Sequence, residues 1–466
     1  MESPPEVEDQ AVAENPALTR RARFWAWPAI LLAPVLMLLS ERLVPEAETE
    51  AEVQHDTSLL ALLQVQSKLI IAAATSSQEE ARKQLVQLEA YATTDGNAAA
   101  LALVHGFIGL GDGGQEAAEL LLARQGERQG ADEAFLEEVR AAVVNGVDET
   151  QRERLAERVG WFSKLAGTPG EPGKAPEGGA IRSGAMGQAV LVMGIFAAGL
   201  IAIFLGAAVL LLAVFLRAGE KLKFAFDRDR PPAGVLLEVF AIFLLGMAIG
   251  NIAGWLIHWT LQPVISLGGL FVAMFWPKWQ GVPWAESRRA LGLHRGQGLF
   301  RELGAGVVGY LTLLPMALIG LTMTGILMAV VKLAQQSGES AGSGAGELFS
   351  EPVTHPAAGW MLGGWEAKIA VFFLAAVLAP VVEELFFRGA FYRNLRVRFP
   401  LIGAGLISGL IFAVLHPQGW MGIPALMMMG FGFACIREWR DSLIAPMTAH
   451  AINNGLLIGG LALLLA

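Results

Sequence analysis

Apolar residues of this 466-residue chain are concentrated in nine long stretches, each of which predicts a helix. An α-helix needs about 20 apolar residues to cross the hydrocarbon core of a bilayer, and most of the stretches approach that length. They cover residues 24–40, 185–216, 233–257, 263–276, 303–331, 369–391, 401–416, 421–436 and 442–466. The pattern therefore predicts an all-α fold, a polytopic transmembrane helix bundle of about eight or nine spans.

The polar segment between the first two stretches predicts a separate helical domain. Apolar residues recur there at helical spacing, and the pairs Ser77-x-x-Glu80 and Asp148-x-x-Gln151 are typical helix starts. We therefore expect the chain to have five parts. These are a cytoplasmic tail (1–23), a transmembrane anchor (24–40), a helical extracytoplasmic domain (41–166) on which a protein partner can dock, a Gly/Pro linker (167–184) and a polytopic membrane domain (185–466).

Composition favours a membrane protein and excludes several other classes. The chain is 54% hydrophobic and 17% charged, whereas soluble proteins carry about 25% charged residues. Its single cysteine, Cys435, excludes an intrachain disulfide. A net charge of −9 without a dense basic patch argues against a nucleic-acid partner.

The charged residues divide the chain into two parts. Residues 41–183 hold 24 acidic and 13 basic residues, whereas residues 184–466 hold 14 acidic and 18 basic ones. The bases of the second part fall mainly in alternate loops, such as 278–301, which predicts that these loops and the N-terminus are cytoplasmic. Residues 41–184 would then lie outside, and the abundant Ala and Gly favour a bacterial inner membrane.

Ionisable side chains within apolar stretches are costly in a bilayer and therefore predict a functional site. Glu238 is set aside, because it follows Pro232 closely and is expected to reach the membrane interface. At about 1.5 Å of helical rise per residue, the remaining groups lie roughly 14 to 24 Å inside their helices, at a common depth. They are Glu383, Glu384, Arg388, His416, His450 and Asn454.

These residue types are suited to hydrolysis. A carboxylate among apolar helices has a raised proton affinity, so Glu383 or Glu384 suits a general base that activates water. A histidine or the Asn454 amide would stabilise the oxyanion, and Arg388 would pair with one glutamate. The alternative is a zinc site with His416, His450 and Glu383 as ligands, although no H-E-x-x-H motif is present and the spacing does not require a metal.

Three motifs resemble those of the CPBP intramembrane protease family, which includes the type II CAAX prenyl proteases and the lysostaphin-resistance-like membrane proteins. They are E-E-x-x-x-R at Glu383–Arg388, F-x-x-x-H at Phe412–His416 and H-x-x-x-N at His450–Asn454. They stand in the family's order on separate apolar stretches, and the similar region covers about residues 366–460. The resemblance implies an intramembrane endopeptidase with Glu383 as the catalytic carboxylate, supported by Glu384, Arg388, the two histidines and Asn454.

The sequence therefore predicts a protease that cleaves membrane-associated proteins or peptides. Residues 1–184 fall outside the family's pattern, so a prenylated CAAX substrate is not implied for this chain. The resemblance leaves open a metal-dependent or a metal-free glutamate mechanism. Two other functions remain alternatives, namely a non-catalytic scaffold or immunity protein with this fold, and a proton-coupled transporter, which also uses intramembrane Glu and His.

Overall fold

A computed structural model describes residues 21–43, 45–109, 112–171, 174–230, 232–258, 260–336, 357–416 and 419–465. Over these residues the chain is helical and contains no β-strand, which confirms the all-α fold. Most of the predicted cytoplasmic tail, residues 1–20, lies outside the described residues.

The helices are numbered in chain order. The first seven are α1 (Ala26–Leu43), α2 (Pro45–Ala74), α3 (Gln78–Leu88), α4 (Asp95–Ile108), α5 (Asp112–Gly126), α6 (Glu133–Asn145) and α7 (Glu149–Val159). The others are α8 (Gly178–Ala218), α9 (Ala233–Leu256), α10 (Leu261–Trp279), α11 (Trp284–Leu291), α12 (Leu299–Gln336), α13 (Trp365–Arg398), α14 (Leu401–Val414), α15 (Gly419–Arg440) and α16 (Ile444–Leu464).

Each of the nine predicted apolar stretches lies on a helix. Among the described residues, six helical segments are long and apolar enough to span a membrane, and five of them belong to predicted stretches, on α8, α9, α12, α13 and α16. Helices α1 and α14 contribute shorter apolar segments. The sixth segment, Asp56–Ala74 on α2, lies in the domain predicted to be extramembranous, and the sequence pattern did not identify it as a candidate span.

The described chain divides into two compact units. The membrane unit comprises the described residues of 1–50, 200–353 and 372–458, and the N-terminal unit comprises those of 51–199, 354–371 and 459–466. In the N-terminal unit, α4 is central, because nearly every one of its residues is buried. Leu59, Leu63 and Ile71 of α2 belong to the same hydrophobic core, so the apolar character of α2 is accounted for by packing within the unit.

Local sequence signals of the N-terminal unit act as expected at the helix starts. Asp148 and Gln151 form a reciprocal capping box at α7, and the Ser77 side chain accepts a hydrogen bond from the Glu80 N–H at α3. The predicted linker 167–184 is shorter in the structure, because α8 already begins at Gly178. No Pro follows Pro176 in this segment, so nothing interrupts the helix.

The membrane unit is built around α9, whose aromatic residues pack against α13. Phe240 stacks on Phe391 with ring centroids 4.4 Å apart, and Phe243 stacks on Phe386 at 4.0 Å. Glu238 was expected to reach the interface, but its side chain is fully buried. It accepts hydrogen bonds from the Trp276 indole and the Arg23 backbone, both at 2.8 Å, and these satisfy the carboxylate inside the unit.

Arginines predicted to be loop cations are instead buried at helix ends. Arg393 and Arg437 have no exposed surface, and both donate to Asp441 Oδ1, at 3.4 and 2.9 Å. Arg230 binds the other carboxylate oxygen at 2.7 Å. Asp441 therefore compensates three arginines at the junction between α15 and α16, and Glu302 pairs in the same way with Arg440 at 2.7 Å.

The substitution Asp441→Asn is predicted to destabilise the membrane unit. It preserves the shape of the side chain but leaves two fully buried guanidinium groups without a counter-charge, which costs about 3–5 kcal/mol when a buried pair is broken. Thermal unfolding of the detergent-solubilised protein should therefore show a clearly lower midpoint. Asp229→Asn, an exposed position, is the control, and an equal midpoint for both variants would contradict the role of Asp441.

The N-terminal unit is predicted to lose stability in mild acid because of His105. Burial lowers the pKa of His105 below its usual 6.5, although Glu89 lies 3.2 Å away and opposes the shift. The unfolded chain then binds a proton that the folded unit does not, so stability falls as the pH drops below 6.5. The unfolding midpoint of the wild type should decrease between about pH 7 and about pH 5.5 more than that of His105→Gln. Parallel pH profiles would count against this prediction.

Candidate active site

The two glutamates lie on α13, a helix with two widened turns. Residues Leu374–Leu378 and Leu385–Phe391 form π-helical turns, and the α-helical segment Ala379–Glu384 lies between them. Such turns rotate the residues that follow them relative to a regular helix and are frequent at functional sites. Phe386 and Phe391 of the second turn stack on phenylalanines of α9, and this packing fixes the turn that follows Glu383 and Glu384.

Glu384 is the buried member of the glutamate pair and forms the centre of a charge-assisted network. Its Oε1 atom accepts hydrogen bonds from Arg388 Nη1 at 2.9 Å and from His450 Nδ1 at 3.0 Å. Arg388 is also completely buried, and its Nη2 atom donates to the Gly430 carbonyl at 3.0 Å. Because an ionised carboxylate only accepts hydrogen bonds, a neutral His450 bonded to it carries its proton on Nδ1 and has Nε2 as an acceptor.

Glu383 is the accessible member of the pair and faces both histidines. Its side chain is 25% exposed, and Oε2 lies 3.8 Å from His416 Nε2 and 3.8 Å from His450 Nε2. His416 Nδ1 donates to the Phe412 carbonyl at 2.7 Å, so Nε2 is the acceptor of the neutral ring. Three acceptor atoms therefore converge on one position, and Glu383 Oε2 has no hydrogen-bond partner among the described residues.

Aromatic rings surround the polar groups of the site. Phe412 packs on His416 at 4.2 Å, and Phe433 stacks on His450 at 4.7 Å between ring centroids. The Arg388 guanidinium lies 4.7 Å from the Phe412 ring and 5.0 Å from the Phe433 ring. The rings fix the imidazole planes and add a cation–π attraction for the buried arginine.

A close approach of α14 to α15 brings the Gly430 carbonyl to Arg388. A Cβ atom on Gly430 would lie 2.7 Å from the Cα of Gly409, and one on Gly409 would lie 2.4 Å from the Met427 carbonyl oxygen. Only glycine at both positions lets the two backbones approach this closely. The sequence analysis did not identify this pair, although glycines on neighbouring apolar helices are a usual sign of such a crossing.

Asn454 bonds to α13 at a carbonyl that the helix itself does not use. In the first widened turn the Ala379 N–H reaches back five residues to the Leu374 carbonyl. The Ala375 carbonyl would need the same bond from position 380, but Pro380 has no N–H. Asn454 Nδ2 donates to this carbonyl at 2.8 Å, which ties α16 to α13 next to the glutamates.

The zinc alternative requires a ligand set arranged around one ion. Throughout the described part of the chain, no group of three or more His, Cys, Asp or Glu side chains is placed to hold a metal. Glu383 Oε2 lies 3.8 Å from Nε2 of His416 and of His450, and these three side chains are not such a group. Zinc binding thus stays a prediction, and no step below depends on it.

The structure brings five of the six predicted residues into one contact network. Arg388 and His450 bind Glu384, while Glu383 lies between His416 and His450. Asn454 is joined to the same helix through the Ala375 carbonyl. The sequence analysis missed the second layer of the site, which consists of Phe433, Gly409, Gly430, Ala375 and Pro380.

Comparison with known proteins agrees with this arrangement. Residues 365–456 match the family model of the Rce1-like type II CAAX prenyl endopeptidases, and this range contains all six predicted site residues. No curated protein and no solved structure matches the chain. Residues 365–456 of this multi-pass integral membrane protein are therefore similar to the Rce1-like type II CAAX prenyl endopeptidases.

Proposed function

We propose that the protein is an intramembrane endopeptidase in which Glu383 activates water to hydrolyse a peptide bond of a membrane-associated protein or peptide. The observation that supports this most directly is the convergence of Glu383 Oε2, His416 Nε2 and His450 Nε2 beside an exposed fraction of Glu383. Glu384 is completely buried and bonded to Arg388, so it serves as support rather than as the base.

A water molecule suits the position between these three acceptors. A separation of 3.8 Å is too long for a direct hydrogen bond but allows one bridging molecule. Water has two hydrogens, so one can point to the Glu383 carboxylate and the other to a histidine Nε2. Its two lone pairs are then directed away from the protein acceptors, where a substrate carbonyl carbon can meet one of them.

Proton transfer can be completed by Glu383 alone. As the water oxygen bonds to the peptide carbon, its proton passes to Glu383, and the carbonyl oxygen becomes an oxyanion. Asn454 uses one amide hydrogen for Ala375 and keeps the second as a donor for that oxyanion. Glu383 then returns its proton to the amide nitrogen as the C–N bond breaks, which yields a carboxylic acid and an amine; the acid then loses its proton to the amine.

We propose a supporting role in substrate binding for the N-terminal unit. Residues 51–199, the larger part of this unit, lie outside the matched range 365–456, so a prenylated CAAX substrate is not assigned to the chain. Its predicted position outside a bacterial inner membrane, with the N-terminus in the cytoplasm, is part of the same proposal. The charge bias of the loops and the polar surfaces of helices such as α7 support it.

Replacing Glu383 by Gln is predicted to abolish proteolysis. The amide keeps the shape of the side chain but cannot take a proton from water, and loss of a general base lowers rates about 10²- to 10⁴-fold. The measurement is a comparison of new N-termini in membrane proteomes from cells that express the wild type or E383Q. Precursors should accumulate in the variant at the level of cells that lack the protein.

Glu366→Gln is the matched control, because Glu366 is an exposed glutamate of the same helix α13. Its cleavage pattern should equal that of the wild type, and both variants should show unchanged thermal unfolding. If the E383Q variant still generates the wild-type N-termini, Glu383 is not the base. Full biological activity in a His416→Ala/His450→Ala variant would instead favour the non-catalytic scaffold.

Metal removal distinguishes the two mechanisms that the family resemblance left open. Because the proposed steps use only Glu383, the histidines and Asn454, dialysis against a zinc chelator is predicted to leave cleavage unchanged. Elemental analysis of the purified protein should show well below one zinc per chain. Inactivation by the chelator with recovery on zinc addition would replace the glutamate mechanism by the zinc site of His416, His450 and Glu383.

A further inference from the structure

The loop segment 278–301, between α10 and α12, carries exposed cations without counter-charges. It contains five basic residues, Lys278, Arg288, Arg289, Arg295 and Arg301, all of which are exposed. Its acidic residue is Glu286, and within the described part of the chain none of the five cations forms an ion pair. The segment therefore presents a concentrated positive charge to its surroundings.

Other cations of the membrane unit are used differently. Arg230, Arg388, Arg393, Arg396, Arg437 and Arg440 all form ion pairs with acidic side chains. Ion pairing is therefore a common use of arginine in this unit, and the free cations of 278–301 contrast with it. Because no acidic side chain of the described residues pairs with these five cations, an anion from outside the protein can bind to them.

Exposed aromatic residues accompany these cations. Trp279 and Trp284 are 56% and 45% exposed, and Phe300 is 86% exposed. Aromatic side chains next to basic ones are typical of the membrane–water interface, where the ring enters the acyl region and the cation meets the headgroup. The segment leads into α12, whose residues Leu299–Val330 are long and apolar enough to span a membrane, so an interfacial position suits it.

Helix α11, at the centre of the segment, is held firmly with its basic face outward. Ser287, Ala290 and Leu291 form its buried face. The Ala290 carbonyl accepts from Arg437 Nη2 at 3.3 Å, and the Gly292 carbonyl accepts from the Leu443 N–H at 3.0 Å. These bonds occupy carbonyls at the end of α11 that would otherwise lack partners, so Arg288 and Arg289 project from a fixed platform.

We propose that the surface formed by Lys278, Arg288, Arg289, Arg295, Arg301 and the rings of Trp279, Trp284 and Phe300 binds the headgroups of anionic phospholipids. The cations supply charge complementarity to the lipid phosphates, and the rings supply contact with the adjoining acyl chains. An acidic segment of another protein is the competing occupant, but it would not require exposed aromatic rings beside the cations.

Lipid selectivity of the reconstituted full-length protein tests this proposal. Vesicles of phosphatidylcholine containing the protein receive trace spin-labelled phosphatidylglycerol or spin-labelled phosphatidylcholine, and the motionally restricted fraction gives their relative association constants. The wild type should prefer phosphatidylglycerol. Removing two cations in R288Q/R289Q should lower that preference about 25-fold, because each basic residue near an anionic surface contributes about fivefold.

Two further variants keep the result specific. R295Q/R301Q removes two charges outside α11 and should also lower the preference, even if R288Q/R289Q disturbs that helix. K221Q/K223Q is the matched control, because its exposed lysines lie in a loop that also carries Glu220, Asp227 and Asp229. It should retain the wild-type preference. An unchanged preference in both arginine variants, or an equal loss in the lysine control, would overturn the proposal.

Discussion

The buried ion pair between Glu384 and Arg388 is the contact on which the site depends. Neither side chain has exposed surface, and an unpaired charge at such a depth would cost several kcal/mol. The pair takes one further bond from His450 and gives one to the Gly430 carbonyl, so it connects α13 with both α15 and α16. The glycine crossing, the aromatic rings and the fixed imidazole tautomer follow from the need to surround this pair.

The pair also separates the roles of two neighbouring glutamates. Glu384 has no exposed surface and binds Arg388 and His450 through Oε1, whereas the Glu383 side chain is 25% exposed and its Oε2 lies beside two histidines. Because α13 widens on both sides of these residues, one faces the buried arginine and the other remains accessible. Glu384 therefore holds the helices together, while the adjacent Glu383 is positioned with no protein donor on its Oε2 atom among the described residues.

The same distinction between paired and free charge applies to the membrane unit as a whole. Around Asp441, cations hold helix ends together, and their burial makes the anion indispensable. In the segment 278–301, cations face outward on a platform bonded to the junction of α15 and α16. Arginines that pair with Asp441 therefore stabilise the fold, whereas the unpaired arginines of 278–301 can bind groups outside the protein.

The sequence by itself determined the helical fold and predicted a separate N-terminal domain and six site residues, because helical periodicity and the cost of charge in an apolar stretch are local properties. It did not show that Glu238 and Arg393 are buried, since their partners Trp276 and Asp441 lie 38 and 48 residues away in sequence. Only the tertiary structure decided which of two adjacent glutamates pairs with Arg388. Neighbouring side chains point about 100° apart on a helix. The packing of α13 against α9, α15 and α16 buries the side that carries Glu384 and leaves Glu383 partly exposed.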